Sequence, residues 1–174
     1  MTATPNSPGA KPAGQPFVIT RTFNAPRPLV WQAWTERDRL AQWFGPKGIT
    51  VVSATLDFRP GGSYHYCMRT PDGKDMWGKF VYRQIDAPKR LEWLNSFSDA
   101  AGGVTRHPMA PNWPLELLSV ATFEEAGAKT KLTIQWSPHN ATPAECAVFD
   151  SMHASMNQGW GGTFDRFDAY LAKA

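Results

Sequence analysis

The hydrophobic pattern divides the chain into one strand, two short helices, six further strands and a long C-terminal helix. Residues 17–24 alternate between apolar and polar side chains, which predicts a half-buried first strand. Two short segments with helical spacing follow, and Thr35 and Asp38 form a capping-box pattern at the start of the second. From residue 49 onward the period changes to two. Turn signals separate six predicted strands: 49–58, 63–70, 76–85, 91–97, 115–123 and 130–136.

The last segment, residues 142–171, predicts one long amphipathic helix with Thr142 as its N-cap. Apolar residues that recur every three or four positions form a stripe along it: Phe149, Met152, His153, Met156, Trp160, Thr163, Phe164, Phe167, Tyr170 and Leu171. Gly159, Gly161 and Gly162 interrupt this segment, and each costs about 1 kcal/mol relative to Ala. Burial of the large stripe residues, at about 1.5–3 kcal/mol each, outweighs that cost. We therefore expect the helix to form.

The order of these elements predicts an α+β fold. Short connections imply antiparallel neighbours, and a strongly twisted sheet of seven strands curls around a helix that offers it one apolar stripe. Residues 1–16 are rich in Pro, Ala and Gly and are predicted to be a flexible leader, and residues 17–174 a single domain. The connection 98–114 is too long for a tight turn and is a candidate lid.

Composition narrows the class of protein. The net charge is only +3, and Lys and Arg are scattered along the chain, which argues against binding to nucleic acid. The sequence shows neither a signal peptide nor an apolar run long enough to span a membrane, so we expect a cytoplasmic protein. Cys67 and Cys146 are interpreted as free thiols. The chain contains eight Trp and ten Phe, and because Trp is enriched where an apolar surface meets a polar partner, this favours a binding cavity or an interface.

The third predicted strand has two faces, and either of them could point to the interior. Its even positions carry Tyr64, Tyr66 and Met68, and this aromatic face is expected to point inward. In the reversed register the odd positions, His65, Cys67 and Arg69, would enter the interior together.

The residues predicted to line a cavity are mostly aromatic, although each could instead be plain core. They are Trp34, Trp43, Phe44, Tyr64, Tyr66, Met68, Trp93, Asn95, Phe97, Trp136, Met152, His153, Met156 and Trp160. His153 is either a hydrogen-bonded core residue or a polar anchor for a ligand. The sequence contains no metal-binding, phosphate-binding or nucleophile motif. We therefore predict no cofactor and no metal, and assign no catalytic residue.

Four short motifs resemble a known family: WFGP at 43–46, LDFRPGG at 56–62, MRTPDG at 68–73 and GWGGT at 159–163. Over residues 17–172 the chain is similar to the helix-grip superfamily of START-like (SRPBCC) domains. Within it, the chain most resembles the branch named for homology to the C-terminal domain of the activator of the heat-shock-protein-90 ATPase. The resemblance implies a tunnel between a curved sheet and the C-terminal helix, closed by the two short helices and by loops.

The function expected from this resemblance is the binding of a small hydrophobic or aromatic molecule, by a monomer or homodimer that acts as a carrier, a sensor or a sequestering protein. One alternative is a co-chaperone-like module that contacts a chaperone ATPase. Another is a cyclase or hydrolase, which would need converging polar groups such as Tyr64 or Tyr66 with His153 or Asp75. The superfamily contains all of these classes, and the fold alone does not choose among them.

Overall fold

The computed structural model describes residues 14–174, and residues 1–13 of the predicted leader lie outside this range. The strands are β1 (Phe17–Phe23), β2 (Thr50–Leu56), β3 (Ser63–Arg69), β4 (Asp75–Asp86), β5 (Arg90–Ser98), β6 (Val104–Thr105), β7 (Glu116–Ala126) and β8 (Lys129–His139). The helices are α1 (Arg27–Thr35), α2 (Arg37–Trp43), α3 (Pro143–Ser151) and α4 (His153–Lys173).

Seven strands form one antiparallel sheet in the order β1-β8-β7-β5-β4-β3-β2, and the two-residue strand β6 pairs with β5 beside this path. The first strand joins the last one, so that Ile19 lies opposite Ile134. This pairing brings the two ends of the domain together, and β1 and β2 are left as the sheet edges. The predicted α+β fold with a seven-stranded antiparallel sheet and a C-terminal helix is confirmed.

The core lies between one face of the sheet and the helices. Period-two alternation buries one side of each central strand, and the residues buried in this way include Tyr64, Tyr66, Phe80, Tyr82, Leu91, Trp93, Leu117, Ala121, Phe123, Leu132 and Ile134. Helix α4 covers them with the stripe Met156, Trp160, Phe164, Phe167 and Leu171. Full burial of each large side chain contributes about 1.5–3 kcal/mol, so this face is the main source of stability.

The register of β3 is the one that puts the aromatic face inward. Tyr64 and Tyr66 are buried in the core. On the outer face the His65 ring stacks on Trp77, with ring centroids 4.8 Å apart, and Arg69 donates to Asp75 at 2.7 and 3.0 Å. The reversed register, with His65 and Arg69 inside, is therefore excluded.

The predicted single C-terminal helix is broken at Met152. Its backbone has φ −104° and ψ 7°, and its N–H donates to the carbonyl of Phe149, three residues back. The Ser151 hydroxyl donates to the Val148 carbonyl at 2.7 Å. Such a bond competes with the backbone hydrogen bonds of the helix and bends it. The apolar stripe therefore continues across two helices, α3 and α4, that the sequence pattern alone does not separate.

The start of α2 also departs from the predicted pattern. Glu36, not Thr35, occupies the N-cap, and no side chain caps this helix. The Thr35 hydroxyl instead donates to the carbonyl of Trp31 within α1. The predicted capping box is wrong because the intrahelical bond takes the hydroxyl that the box requires.

Arg166 joins the end of α2 to the C-terminal helix. Its Nη1 donates to the carbonyls of Phe44, Gly45 and Pro46 at 3.3, 3.0 and 3.0 Å. These carbonyls follow the last turn of α2, where orphan acceptors need partners. Gly45 has φ +103°, and a Cβ at this position would lie 2.8 Å from the Met68 sulfur. The WFGP motif is thus explained by the close contact of Gly45 with Met68 and by the hydrogen bonds from Arg166 to residues 44–46, here called the Arg166 clasp.

Replacing Arg166 with Ala is expected to lower the free energy of unfolding by about 2 kcal/mol, because a charged donor is lost and carbonyls are left without partners. The control is Arg37→Ala, which removes an exposed ion pair to Asp38 and should cost less than about 1 kcal/mol. Urea unfolding of the two variants checks this. Equal losses would show that the clasp has no special role.

Candidate functional site

Two recesses on the surface lie apart from the predicted lining residues. One, of about 230 Å³, lies between α2 and β2 and is bordered by Arg37, Ala41 and Val52. The other, of about 590 Å³, runs along the outer side of α4 past Gly159, Gly161 and Gly162. Neither is lined by any residue predicted to line a cavity. Most of the predicted lining residues lie instead in the aromatic interior beneath α4.

Four tryptophans form a continuous row through this interior, here called the tryptophan row: Trp93 of β5, Trp34 of α1, Trp160 of α4 and Trp136 of β8. Adjacent ring centroids are 6.1 Å apart for Trp93 and Trp34, 6.3 Å for Trp34 and Trp160, and 5.4 Å for Trp160 and Trp136. The rings of Trp34 and Trp160 are parallel to within 12°. The row thus links two strands of the sheet through two helices, and its members were all predicted to line the cavity.

Every indole N–H in the tryptophan row is buried and has no hydrogen-bond partner among the residues that the structure describes. Trp43 behaves differently, because its N–H donates to the Ala33 carbonyl at 3.0 Å. Buried Trp N–H groups usually have a partner. Four buried indole donors without partners therefore distinguish the tryptophan row from Trp43.

Ser119 is a polar residue of this interior that the sequence analysis missed. It lies on β7 directly opposite Trp93 on one side and Trp136 on the other. It is fully buried, and its hydroxyl donates to Asn95 Oδ1. Its small side chain separates the indoles of Trp93 and Trp136 along the sheet. The signal was present in the sequence, because two small residues, Ser119 and Ala121, follow one another on the inward face of β7 between Leu117 and Phe123.

Tyrosines of β3 border the row on its other side. The rings of Tyr64 and Tyr66 stack at 4.9 Å, and both pack on Phe80. Gly78, opposite Tyr66 in the sheet, leaves space for its ring, because a Cβ there would overlap the phenol. Burial raises the pKa of the Tyr64 and Tyr66 hydroxyls. These groups therefore remain neutral at physiological pH, and the Tyr64 oxygen has no partner within residues 14–174.

His153 lies at the other end of the interior, at the first turn of α4. Its ring contacts Phe149 and Phe17 edge-on, at 5.2 and 5.8 Å. Its Nε2 is buried without a partner in the described part of the chain. The ring of His153 thus contacts the aromatic interior with its Nε2 unpaired.

Helix α3 closes this end and is held by polar contacts as well as by its fully buried Phe149. Arg106, from the predicted lid segment, forms an ion pair of 3.1 Å with the buried Glu145. The Gly14 N–H donates to Asp150 at 3.1 Å, so the end of the predicted leader is attached to α3 at this point. Phe149 contacts Trp113 of the same segment, at 5.7 Å. The segment that follows β6 therefore lies against α3 over the His153 end of the interior.

Several predicted lining residues do not join the buried set. Met152 lies at the break between α3 and α4, and its side chain is 39% exposed. The remaining exceptions are half-buried: Met68, Asn95, Phe97, Trp136 and His153. Met152 was predicted to face the interior on the assumption of one straight helix. The break between α3 and α4 turns this position outward.

Asp75, the carboxylate considered for an enzyme mechanism, lies on β4 and is paired with Arg69 on the outer face of the sheet. It is therefore separated by the sheet from Tyr64, Tyr66 and His153. Within residues 14–174 no three His, Cys, Asp or Glu side chains are grouped so that they could hold a metal ion. No helix in the same range is long and apolar enough to cross a membrane. Cys67 and Cys146 are both free thiols.

A curved antiparallel sheet closed by a long C-terminal helix, with an aromatic interior between them, defines the helix-grip class of START-like domains. The profile of the family described as Activator of Hsp90 ATPase homolog 1-like protein matches residues 24–172. The chain belongs to this family. No curated protein sequence matches it.

Solved structures share the fold. A protein from Arthrobacter aurescens is 26% identical with a TM-score of 0.73, and the match covers 91% of this chain and 87% of that one. A protein from Nitrosomonas europaea is 24% identical with a TM-score of 0.71 and coverage of 91% and 94%. The AHSA1 protein from Silicibacter pomeroyi is 19% identical with a TM-score of 0.68 and coverage of 90% and 97%. The last two likenesses concern the fold alone.

Replacing Arg106 with Met is expected to speed hydrogen exchange of the α3 amides about fivefold, because a partly buried ion pair worth about 1 kcal/mol is lost. The control is Arg83→Met on β4, which loses a looser pair to Glu92 of 3.7 Å. Peptide-resolved exchange mass spectrometry measures both. Unchanged exchange in α3 would show that Phe149 alone holds this helix.

Proposed function

We propose that this protein binds a small hydrophobic or aromatic molecule between the curved sheet and the C-terminal helices, as a carrier, a sensor or a sequestering protein. The observation that carries the proposal is the tryptophan row with its four buried, unpartnered N–H groups. Binding sites for small molecules are mostly apolar and contain a few polar groups that orient the ligand. The interior beneath α4 has this composition.

The cost of these donors supports a role beyond packing. A buried donor without a partner costs about 1–3 kcal/mol, whereas Phe would fill much of the same space without that cost. Trp34, Trp93 and Trp160 are nonetheless nearly fully buried. A ligand that accepts hydrogen bonds would recover this free energy and would gain the apolar contacts as well.

The surroundings of the row allow it to adapt to a ligand. Met156 precedes Trp160 by one turn on the same stripe of α4, and methionine side chains fill irregular spaces readily. Ser119, a small side chain, lies between Trp93 and Trp136 in the sheet, so that no large side chain holds the two indoles apart. The proposed lining extends toward α3 through Asn95, Phe97, Trp136 and His153. Helix α3 covers this end, and the ion pair between Arg106 and Glu145 helps to hold it there.

Titration with a panel of aromatic and fatty ligands, followed by tryptophan fluorescence and calorimetry, tests the proposal. We expect at least one ligand to bind more tightly than about 1 mM. Trp160→Leu should weaken that binding at least tenfold, because it removes both contact area and a donor. Trp77→Leu is the matched control, since Trp77 stacks on His65 on the outer face of the sheet and should leave binding unchanged. Failure of the whole panel to bind would contradict the proposal.

A chaperone ATPase as partner is the second candidate, and the description of the family favours it. If it holds, adding the protein should raise the ATP turnover of an Hsp90 chaperone in a coupled assay. The Trp160→Leu variant separates the two functions, because Trp160 is buried and cannot form part of a docking surface. Unchanged turnover over a wide range of protein concentration would reject the chaperone partner.

A further inference from the structure

Hydrogen-bond donors outnumber acceptors in the interior beneath α4. An indole N–H can only donate, and the tryptophan row supplies four such groups without partners among the described residues. The Asn95 carbonyl oxygen receives the Ser119 hydroxyl, so the acceptors left there are its second lone pair and the Ser119 oxygen. The Tyr64 hydroxyl and His153 Nε2 can serve either role. The side chains around the row therefore provide a surplus of donors.

The same interior is uncharged. Among residues 14–174, Glu145 is the only Asp, Glu, Lys or Arg residue that is buried as a whole, and Arg106 pairs with it at α3. The half-buried Asp150, whose Oδ1 is buried without a partner, lies on the same helix and not in the tryptophan row. An isolated charge in such surroundings would carry a large desolvation cost. A ligand bound along the tryptophan row is therefore expected to be neutral.

We infer that the ligand class is a neutral, planar ring system that carries hydrogen-bond acceptors, such as ring carbonyls, and few or no donors. This inference rests on the proposed function and adds the chemical identity of the ligand. A carbonyl oxygen satisfies an indole N–H that would otherwise stay unpaired. An N–H on the ligand meets another donor, loses its bond to water and gains nothing in return.

The position of Ser119 indicates where such an acceptor is held. Along the sheet, Ser119 lies between Trp93 and Trp136, and Trp160 of α4 contacts Trp136 at 5.4 Å. A carbonyl above Ser119 would thus lie among three indoles of the row. Sites that are built to donate discriminate strongly against analogues that lack the matching acceptor, because their own polar groups are then left unpaired.

Three tricyclic molecules of nearly the same shape test the inference: fluorenone, with a carbonyl bridge, fluorene, with a methylene bridge, and carbazole, with an N–H bridge. Calorimetry should show fluorenone binding about tenfold more tightly than fluorene, the gain expected from one hydrogen bond to a buried donor. Carbazole should bind no more tightly than fluorene. In ¹⁵N-labelled protein, indole N–H resonances of the row should shift downfield with fluorenone only.

Two matched substitutions assign the effect to the row. Trp160→Phe removes an unpartnered N–H and should reduce the preference for fluorenone over fluorene to about threefold or less. Trp43→Phe removes a buried indole whose N–H already donates to Ala33, and it should keep the tenfold preference. If Trp160→Phe does not fold, Trp136→Phe makes the same comparison.

The outcomes separate this inference from the proposed function. Equal affinity for all three tricyclics, or tighter binding of carbazole, would overturn the acceptor preference and leave the binding function standing. Loss of the preference in Trp43→Phe but not in Trp160→Phe would also overturn it. If none of the tricyclics and no member of the wider ligand panel binds, the proposed function and this inference fail together.

Discussion

The contact on which the rest of the structure depends is the aromatic stripe of α4 against the inner face of the sheet. Phe167 shows why. It is fully buried, and its ring lies 4.3 Å from that of Trp43 on α2 and 4.8 Å from that of Phe23 on β1. One side chain of the last helix therefore ties together the first strand and the second short helix. Apolar burial of this kind is non-directional. The hydrogen bonds from Arg166 to the residues that follow α2 are directional, and they fix the position of α4 relative to the end of α2.

The interior is divided into two parts with different chemistry. Around Phe167 the contacts are apolar, and the nearest indole, that of Trp43 at 4.3 Å, has its N–H satisfied by a backbone carbonyl. Trp34 of the tryptophan row reaches Phe167 from the other part, at 6.4 Å. The other part, around Trp160, contains polar groups that lack partners among the described residues: the four indole N–H donors, the Tyr64 hydroxyl and His153 Nε2. The first part anchors the helix, and the second carries polar groups that packing does not require. A division of this kind is expected where one fold must both hold itself together and accept a guest.

The sequence predicted the sheet, the inward face of β3 and most of the α4 stripe, because periodicity reports which side of an element is buried. It did not predict the break at Met152, which depends on a Ser151 hydroxyl bonding to its own helix. Nor did it give the role of Arg166, which depends on a contact between residues 120 or more positions apart in the chain. Gly78 was visible as a glycine within a strand, but its reason, the Tyr66 ring, appears only once the two strands are in register.

The unpartnered donors also link stability to binding. A buried N–H without a partner costs about 1–3 kcal/mol, and the tryptophan row carries four of them among the described residues. The apolar contacts of the aromatic stripe must offset this cost in the free protein. Any molecule that pairs with these donors returns part of it, and a ligand that binds only the folded state raises stability with the logarithm of its concentration relative to its Kd. The buried N–H groups that cost stability in the free domain are therefore the groups through which a ligand would stabilise it.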